Sequence, residues 1–166
     1  MRVLVAYGSK MGGTIGIADM IAAPIREAGY EVDERPVDAV DSLDRYDAVL
    51  VGGALYNARW HEGSRHFVKR FQAQLRERPV WFFSSGPLDG SAADHEIPPV
   101  RGVAKLMSRV GARGHATIGG RLPPRPGNGH AHKPSEKMPG DWRDEDQIAK
   151  WVKSVLAQLP PVVAMQ

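Results

Sequence analysis

Residues 2–14 read RVLVAYGSKMGGT, and the order of these residue types indicates an α/β fold. The apolar run Arg2–Tyr7 leads into a loop of small residues, and the amphipathic pattern after the loop predicts a helix. Backbone N–H groups at such a helix start, together with the two loop hydroxyls, form a common binding arrangement for phosphate. Glycines in the loop let the backbone approach an anion closely. This stretch therefore predicts a strand, a phosphate-binding loop and a helix.

The same alternation of apolar and helical segments continues along the chain. We predict strands at five segments: Arg2–Tyr7, Glu31–Arg35, Ala48–Gly53, Val80–Ser85 and His115–Gly120. The third and fourth are continuously apolar, which is typical of strands covered on both faces of a parallel sheet. The second is polar and is followed by Pro36, which favours a sheet edge because proline cannot donate to a ladder. The pattern predicts an open parallel sheet with helices on both faces.

One segment does not fit a regular element. Arg121–Gly140 is rich in proline and glycine, so we expect no regular structure there and preferential proteolysis at that loop. The helix that follows has Asp141 or Asp144 as its candidate N-cap. We expect residues 1–160 to form a single domain, with 161–166 as a C-terminal tail.

Composition excludes several functional classes. The 166 residues include no cysteine, which rules out disulfides, cysteine nucleophiles and thiolate metal sites and is compatible with a cytoplasmic location. No apolar run approaches the ~20 residues that a membrane-spanning helix needs. We expect no signal peptide, because the start passes directly into a strand. The net charge of +3 is too small to indicate nucleic-acid binding.

The loop after the first strand supplies the candidate phosphate ligands: Ser9, Lys10, Met11, Gly12, Gly13 and Thr14. It lacks the Gly-Lys-Ser/Thr ending of a Walker loop and is not the dinucleotide fingerprint. The alternative is a glycine-rich turn from strand to helix that binds nothing.

These residues resemble a known family. The loop is similar to the flavodoxin phosphate loop, Thr/Ser-x-Thr-Gly-x-Thr, with Ser9, Gly12 and Thr14 matching and Met11 departing from the middle hydroxyl. The segment GGALYNARWH (52–61), the later Phe67-Val68-Lys69 and the Gly140-Asp141-Trp142 stretch resemble flavodoxin-domain oxidoreductases related to menaquinone-dependent protoporphyrinogen oxidase.

The resemblance implies a three-layer flavodoxin-like fold, with a five-stranded parallel sheet of order 2-1-3-4-5 and FMN at the carboxyl ends of its strands. It assigns the phosphate to the loop from Ser9 to Thr14. It assigns the isoalloxazine to a second loop, with Tyr56 or Trp60 as the stacking ring; the residues of that loop are Ala54, Leu55, Tyr56, Asn57, Arg59 and Trp60. Backbone donors to the polar edge of the flavin would come from a third loop: Ser84, Ser85, Gly86 and Pro87. Arg59 and Lys10 are candidate cations near the pyrimidine edge, or else solvated surface charges.

The resemblance further implies an FMN-dependent oxidoreductase acting on a small-molecule or quinone-type redox partner, with a porphyrinogen-type substrate as another option. Two alternatives stay open: a non-enzymatic flavodoxin-type electron carrier, and a binding module that has lost flavin. The slightly basic charge is unlike the acidic carriers. The 121–140 segment is shorter and less apolar than the insertion of the oxidase group, which weakens the case for docking on a quinone or a membrane.

The histidines offer a weaker hypothesis. His130 and His132 could form a metal site with His115 or His95, but their spacing does not indicate a closed site and we expect surface histidines instead. His61, in the second loop, is a candidate either for moving protons or for fixing the local geometry. Asp89–Glu96 is expected to be a solvated loop at the rim of the site.

Overall fold

The computed structural model describes residues 1–9, 12–122 and 140–163, and its centre is a six-stranded sheet. The strands of this sheet are β1 (Arg2–Gly8), β2 (Glu31–Pro36), β3 (Ala48–Tyr56), β4 (Arg59–Trp60), β5 (Val80–Ser85) and β6 (Gly114–Ile118). The path β2-β1-β3-β5-β6 is parallel throughout, and β4 pairs antiparallel with β3. Because β4 is a short addition, the five parallel strands have the predicted order 2-1-3-4-5, with polar β2 at one edge.

Helices cover both faces of the sheet, as predicted. They are α1 (Gly13–Glu27), a 3-10 turn (Val37–Ala39), α2 (Glu62–Arg70), α3 (Gln72–Arg76), α4 (Ser91–Asp94), α5 (Arg101–Val110) and α6 (Glu145–Leu156). The apolar stripes of α1 and α6 pack on one face of the sheet against Val5, Leu50 and Phe83. Those of α2, α3 and α5 pack on the other face against Val49 and Phe82. The result is a three-layer sandwich with one apolar core on each side of the sheet.

The helix ends follow from local chemistry. Asp144, one of the two predicted N-caps of α6, accepts a hydrogen bond from the Gln147 N–H at 2.9 Å. Gly29, just past α1, has φ +97°, a conformation that a side chain would make costly. Pro24 lies inside α1, and its carbonyl accepts from the Ala28 N–H at 3.1 Å.

Two expectations about loops are corrected. The ends of the 121–140 segment are regular, since β7 (Arg121–Leu122) and β8 (Gly140–Asp141) form a two-stranded antiparallel ladder. Residues 123–139, on which the proteolysis expectation depends, lie outside the described residues. The Asp89–Glu96 loop contains the short helix α4.

The third correction concerns the end of β3. The strand continues to Tyr56, beyond the predicted end at Gly53, and turns back into β4 through Asn57 and Ala58, which have φ +50° and +58°. Two consecutive residues with positive φ are the geometry of a tight two-residue hairpin. Among the described residues, no helix is both long and apolar enough to cross a membrane.

Candidate functional site

A cleft with a volume of about 210 Å³ opens at the carboxyl ends of the parallel strands. Its walls come from the three predicted loops and from one segment that the prediction missed. The lining residues are Ser9, Gly13, Thr14, Ala54, Leu55, Tyr56, Ser85, Gly86, Leu88, Gly120, Arg121 and Leu122. Parallel strands end at a common edge, and the loops there meet where open α/β sheets bind ligands.

One end of the cleft has the features of an anion site. Thr14 is 0% exposed, and its Oγ1 has no hydrogen-bond partner within the described part of the chain. It lies in the first turn of α1, which has no acidic residue and no side-chain cap. The helix start therefore presents a partial positive charge and a buried hydroxyl without an acceptor or donor, and both suit a phosphate.

Arg121 lines the same end and was not predicted as a site residue. A Cβ built on Gly13 would lie 3.4 Å from the Arg121 Cβ and backbone N, so β7 passes directly against the start of α1. The sequence contained a signal for this segment. The glycine pair Gly119-Gly120 follows β6, and a similar pair, Gly52-Gly53, lies within β3 just before the second loop. The Gly120 N–H donates to the Pro87 carbonyl at 2.9 Å, which ties this segment to the third loop.

The rest of the cleft is mainly apolar. Leu55 and Tyr56 from the end of β3 line it together with Leu88 and Leu122. A Cβ on Gly86 would lie 2.8 Å from the Leu55 side chain, so this glycine lets the second and third loops pack together. Tyr56 is half-buried and lies beside the His61 ring, with 6.5 Å between ring centroids. This end of the cleft can accommodate a flat apolar ring.

Trp60 is not available for stacking on a ligand in this cleft. It is 2% exposed and stacks on Phe82, with 4.9 Å between ring centroids and 27° between ring planes. Of the two candidate stacking rings, Trp60 therefore belongs to the core. The β3–β4 hairpin explains it, because Trp60 pairs with Leu55 and its side chain packs in the core on the sheet face covered by α2 and α5. Tyr56 is thus the candidate stacking ring.

Several other predicted residues lie away from the cleft. Asn57 forms the hairpin turn, and Arg59 lies beyond it on a separate groove. Ser84 is buried and bonds through its Oγ to the His115 Nε2 at 2.9 Å.

The remaining predicted residues lie beside the cleft or outside the described residues. Pro87 lies between two lining residues, and the Gly86 N–H already donates to the Ile118 carbonyl at 3.1 Å. Gly12 precedes α1 with φ +78° and donates its N–H to the Ser9 Oγ at 3.1 Å. Lys10 and Met11 lie outside the described residues.

The histidines of the described residues do not form a metal site. Within residues 1–9, 12–122 and 140–163, no three His, Asp or Glu side chains are placed to hold a metal ion. His61 lies next to the cleft, at the N-terminus of α2, where its backbone N–H donates to the Ala54 carbonyl at 2.8 Å. Its backbone therefore fixes the hairpin to α2. His130 and His132 are outside the described part.

Burial lowers the pKa of His115 to about 4. An unfolded chain takes up this proton first as the pH falls below the ordinary value near 6.5, so the folded state loses stability between pH 6.5 and about 4. We expect a loss of up to about 3 kcal/mol over that range from this residue. Urea unfolding at pH 7 and pH 4.5 should show a smaller difference for His115→Gln than for the parent, while the exposed control His66→Gln should keep the parental difference.

Comparison with known proteins agrees with this geometry. The family described as "Flavodoxin domain" matches residues 4–122, which run from within β1 to the end of β7 and include all the described walls of the cleft. The chain belongs to the flavodoxin-domain family.

Individual relatives are distant. Protoporphyrinogen IX dehydrogenase [quinone] of Escherichia coli K12 is 27% identical over 86 residues, which are 51% of this chain and 48% of that protein. The chain therefore matches about half the length of its curated relatives. Oxidised Flavodoxin 2 from Bacillus cereus has a TM-score of 0.67 at 18% identity, covering 96% of this chain and all of the other. Rubredoxin oxygen:oxidoreductase from Desulfovibrio gigas has a TM-score of 0.58 at 17% identity, covering 94% of this chain and 37% of the other. The two structural likenesses concern the fold.

Proposed function

We propose that the cleft binds FMN and that the protein is a flavin-dependent oxidoreductase acting on a small redox partner. The observation that carries the proposal is the buried Thr14 hydroxyl, which has no partner among the described residues and lies at the start of α1. A buried polar atom without a partner is costly unless a ligand satisfies it. Membership of the flavodoxin-domain family supports a flavin as that ligand.

The residues present fit both parts of FMN. Ser9, Gly13 and Thr14 would hold the phosphate with hydroxyls and the N–H groups of the α1 start, and Arg121 would add a positive charge. Leu55, Tyr56, Leu88 and Leu122 would enclose the ring, with Tyr56 stacking on it. When bound, FMN would supply transfer of one or two electrons. The chain's own contribution is to orient the ring and to exclude water from its apolar side.

Arg121 gives a direct test of the phosphate placement. We expect Arg121→Gln to weaken FMN binding about two- to fivefold, because an exposed ion pair contributes little free energy in water. The loss should shrink at high salt, which screens the charge. Isothermal titration calorimetry in low and high salt would measure both effects, with riboflavin as the ligand that lacks a phosphate. A loss of the same size for riboflavin would contradict the placement of Arg121 at the phosphate end.

A quinone or porphyrinogen-type molecule is the substrate class we propose. The Escherichia coli relative carries the name of a quinone-linked protoporphyrinogen IX dehydrogenase, which supports a small-molecule partner. A non-enzymatic electron carrier is the second candidate, supported by the likeness in fold to Bacillus cereus Flavodoxin 2. Tyr56 is only half-buried at the cleft, which is compatible with access of a small molecule to a bound ring.

The two candidates differ in how reduced protein reacts with a small quinone. Photoreduced, FMN-loaded protein is mixed anaerobically with menadione, and the return of flavin absorbance is followed by stopped flow. An enzyme that binds quinone should show a rate that saturates with menadione concentration. A rate that rises linearly over the whole soluble range would contradict the enzyme proposal and favour the carrier.

A further inference from the structure

A second concave surface lies on the far side of the Asn57–Ala58 turn from the cleft. It runs between β4, α2 and the N-terminus of α5, and has an open volume of about 1340 Å³. Its lining residues are Ala58, Arg59, Trp60, Arg65, Val100, Arg101, Gly102 and Lys105. We call this surface the β4–α5 groove. It shares no lining residue with the cleft.

The charge of the β4–α5 groove is entirely positive. Four of its eight lining residues are cations, namely Arg59, Arg65, Arg101 and Lys105, and none is acidic. Within the described part of the chain, none of these four cations forms an ion pair with a carboxylate. Arg65 is held in place by a 3.1 Å hydrogen bond from its Nε to the Trp60 carbonyl. Such a cluster of unneutralised cations creates a local positive potential that favours an anion.

The start of α5 adds to this potential. Its N-cap residue, Val100, has no side chain that can accept a hydrogen bond from the helix, and no acidic residue lies in the first turn. The N–H groups of that turn therefore carry the positive end of the helix dipole toward the groove. At Gly102 a Cβ would meet nothing within 4 Å, so the space beside the helix start is open.

The floor of the groove is apolar. Ala58, Val100 and the edge of the buried Trp60 line it, so an occupant can contact carbon atoms as well as the cations of the same groove. Sites for small molecules are concave and mostly apolar with a few placed polar groups. The combination fits a small molecule with an apolar body and an anionic group.

We propose that the β4–α5 groove is a binding site for a small apolar organic anion, of the aromatic carboxylate or sulfonate class. The apolar body rests on Ala58 and Val100, and the anionic group lies between Arg101, Lys105 and the start of α5. This site is distinct from the proposed FMN cleft and does not depend on flavin binding.

The probe for the experiment is 1-anilinonaphthalene-8-sulfonate, and N-phenyl-1-naphthylamine serves as the same ring system without the charge. Binding is measured by calorimetry with and without excess FMN, because the empty cleft also offers an apolar wall and an anion site. With FMN in excess we expect one sulfonate per chain, weaker binding as salt rises, and much weaker binding of the uncharged analogue. The double variant Arg101→Gln/Lys105→Gln should weaken sulfonate binding about tenfold or more, because it removes two charged hydrogen-bond donors. The matched control Lys150→Gln/Lys153→Gln makes the same charge change on exposed positions of α6, on the opposite face of the sheet, and should bind like the parent.

A steric variant tests the place independently of charge. A Cβ at Gly102 would meet nothing within 4 Å, so Gly102→Phe projects a ring into the open space beside α5 and should abolish sulfonate binding in a folded protein. Circular dichroism checks the fold.

Three results would overturn the proposal: unchanged binding in the groove variants, an equal loss in the α6 control, or equal affinity for the uncharged ring. Complete displacement of the sulfonate by FMN would also overturn it, because all the bound probe would then lie in the cleft. A groove that binds poly-glutamate but not the sulfonate would indicate an acidic protein partner and would equally overturn it.

Discussion

We expect Thr14→Val to weaken FMN binding roughly ten- to hundredfold while leaving riboflavin binding almost unchanged. The substitution keeps the shape of the side chain but removes a buried hydroxyl, and a hydrogen bond to a charged group is worth about 1.5–3 kcal/mol. Riboflavin has no phosphate, so its binding does not depend on that hydrogen bond. Isothermal titration calorimetry with the two ligands measures the difference directly.

Thr117→Val is the matched control for this substitution. Thr117 is also buried, but its Oγ1 donates to the Ile97 carbonyl at 3.1 Å and it does not line the cleft. The control should lower the free energy of unfolding without changing the preference for FMN over riboflavin. Equal losses of FMN and riboflavin binding in Thr14→Val would show that Thr14 does not contact the phosphate.

Trp60→Ala should lower the free energy of unfolding by about 3–5 kcal/mol, the range measured when a large aromatic side chain is removed from a core. Trp60 is 2% exposed and stacks on Phe82, so its removal leaves a cavity between β4 and the sheet. Tyr56→Ala should instead cause a small loss of stability, because Tyr56 is half-buried at the cleft. Urea unfolding of both variants gives the comparison.

In flavin fluorescence the effects of the two variants should be reversed: Tyr56→Ala should have the large effect and Trp60→Ala the small one. Tyr56→Ala should relieve the quenching of bound flavin and weaken its binding, because stacked aromatic pairs contribute about 1 kcal/mol beyond burial. Folded Trp60→Ala, measured at low temperature, should keep the parental quenching. If Tyr56→Ala quenches flavin as the parent does, the ring stacks elsewhere and the placement of Tyr56 is wrong.

The sheet could be predicted because its signals are local. Continuous apolar runs such as Val49–Val51 and Val80–Phe83 indicate buried parallel strands, and the right-handed crossover rule then limits the topology. Pro36 and the polar β2 indicate an edge for the same reason. The converging loops followed from strand direction alone, since parallel strands place their carboxyl ends together.

What could not be predicted depends on pairing at a distance. The hairpin that buries Trp60 requires Asn57 and Ala58 to adopt positive φ, and alanine gives no sequence signal for that conformation. Arg121 lies at the phosphate end because residues 121–122 pair with residues 140–141. The many prolines between these two pairs indicate irregular structure, so the pairing could not be predicted. Ser84 turns away from the cleft because alternate residues of β5 face opposite sides of the sheet.

The most direct test of the central claim is to offer the flavin-free protein equimolar FMN and riboflavin, remove unbound ligand, and identify the flavin released on denaturation. The phosphate site around Thr14 and the apolar cleft beside Tyr56 together predict a yellow protein that retains FMN and little riboflavin. A colourless protein, or one that retains the two flavins equally, would contradict the assignment of this cleft to FMN.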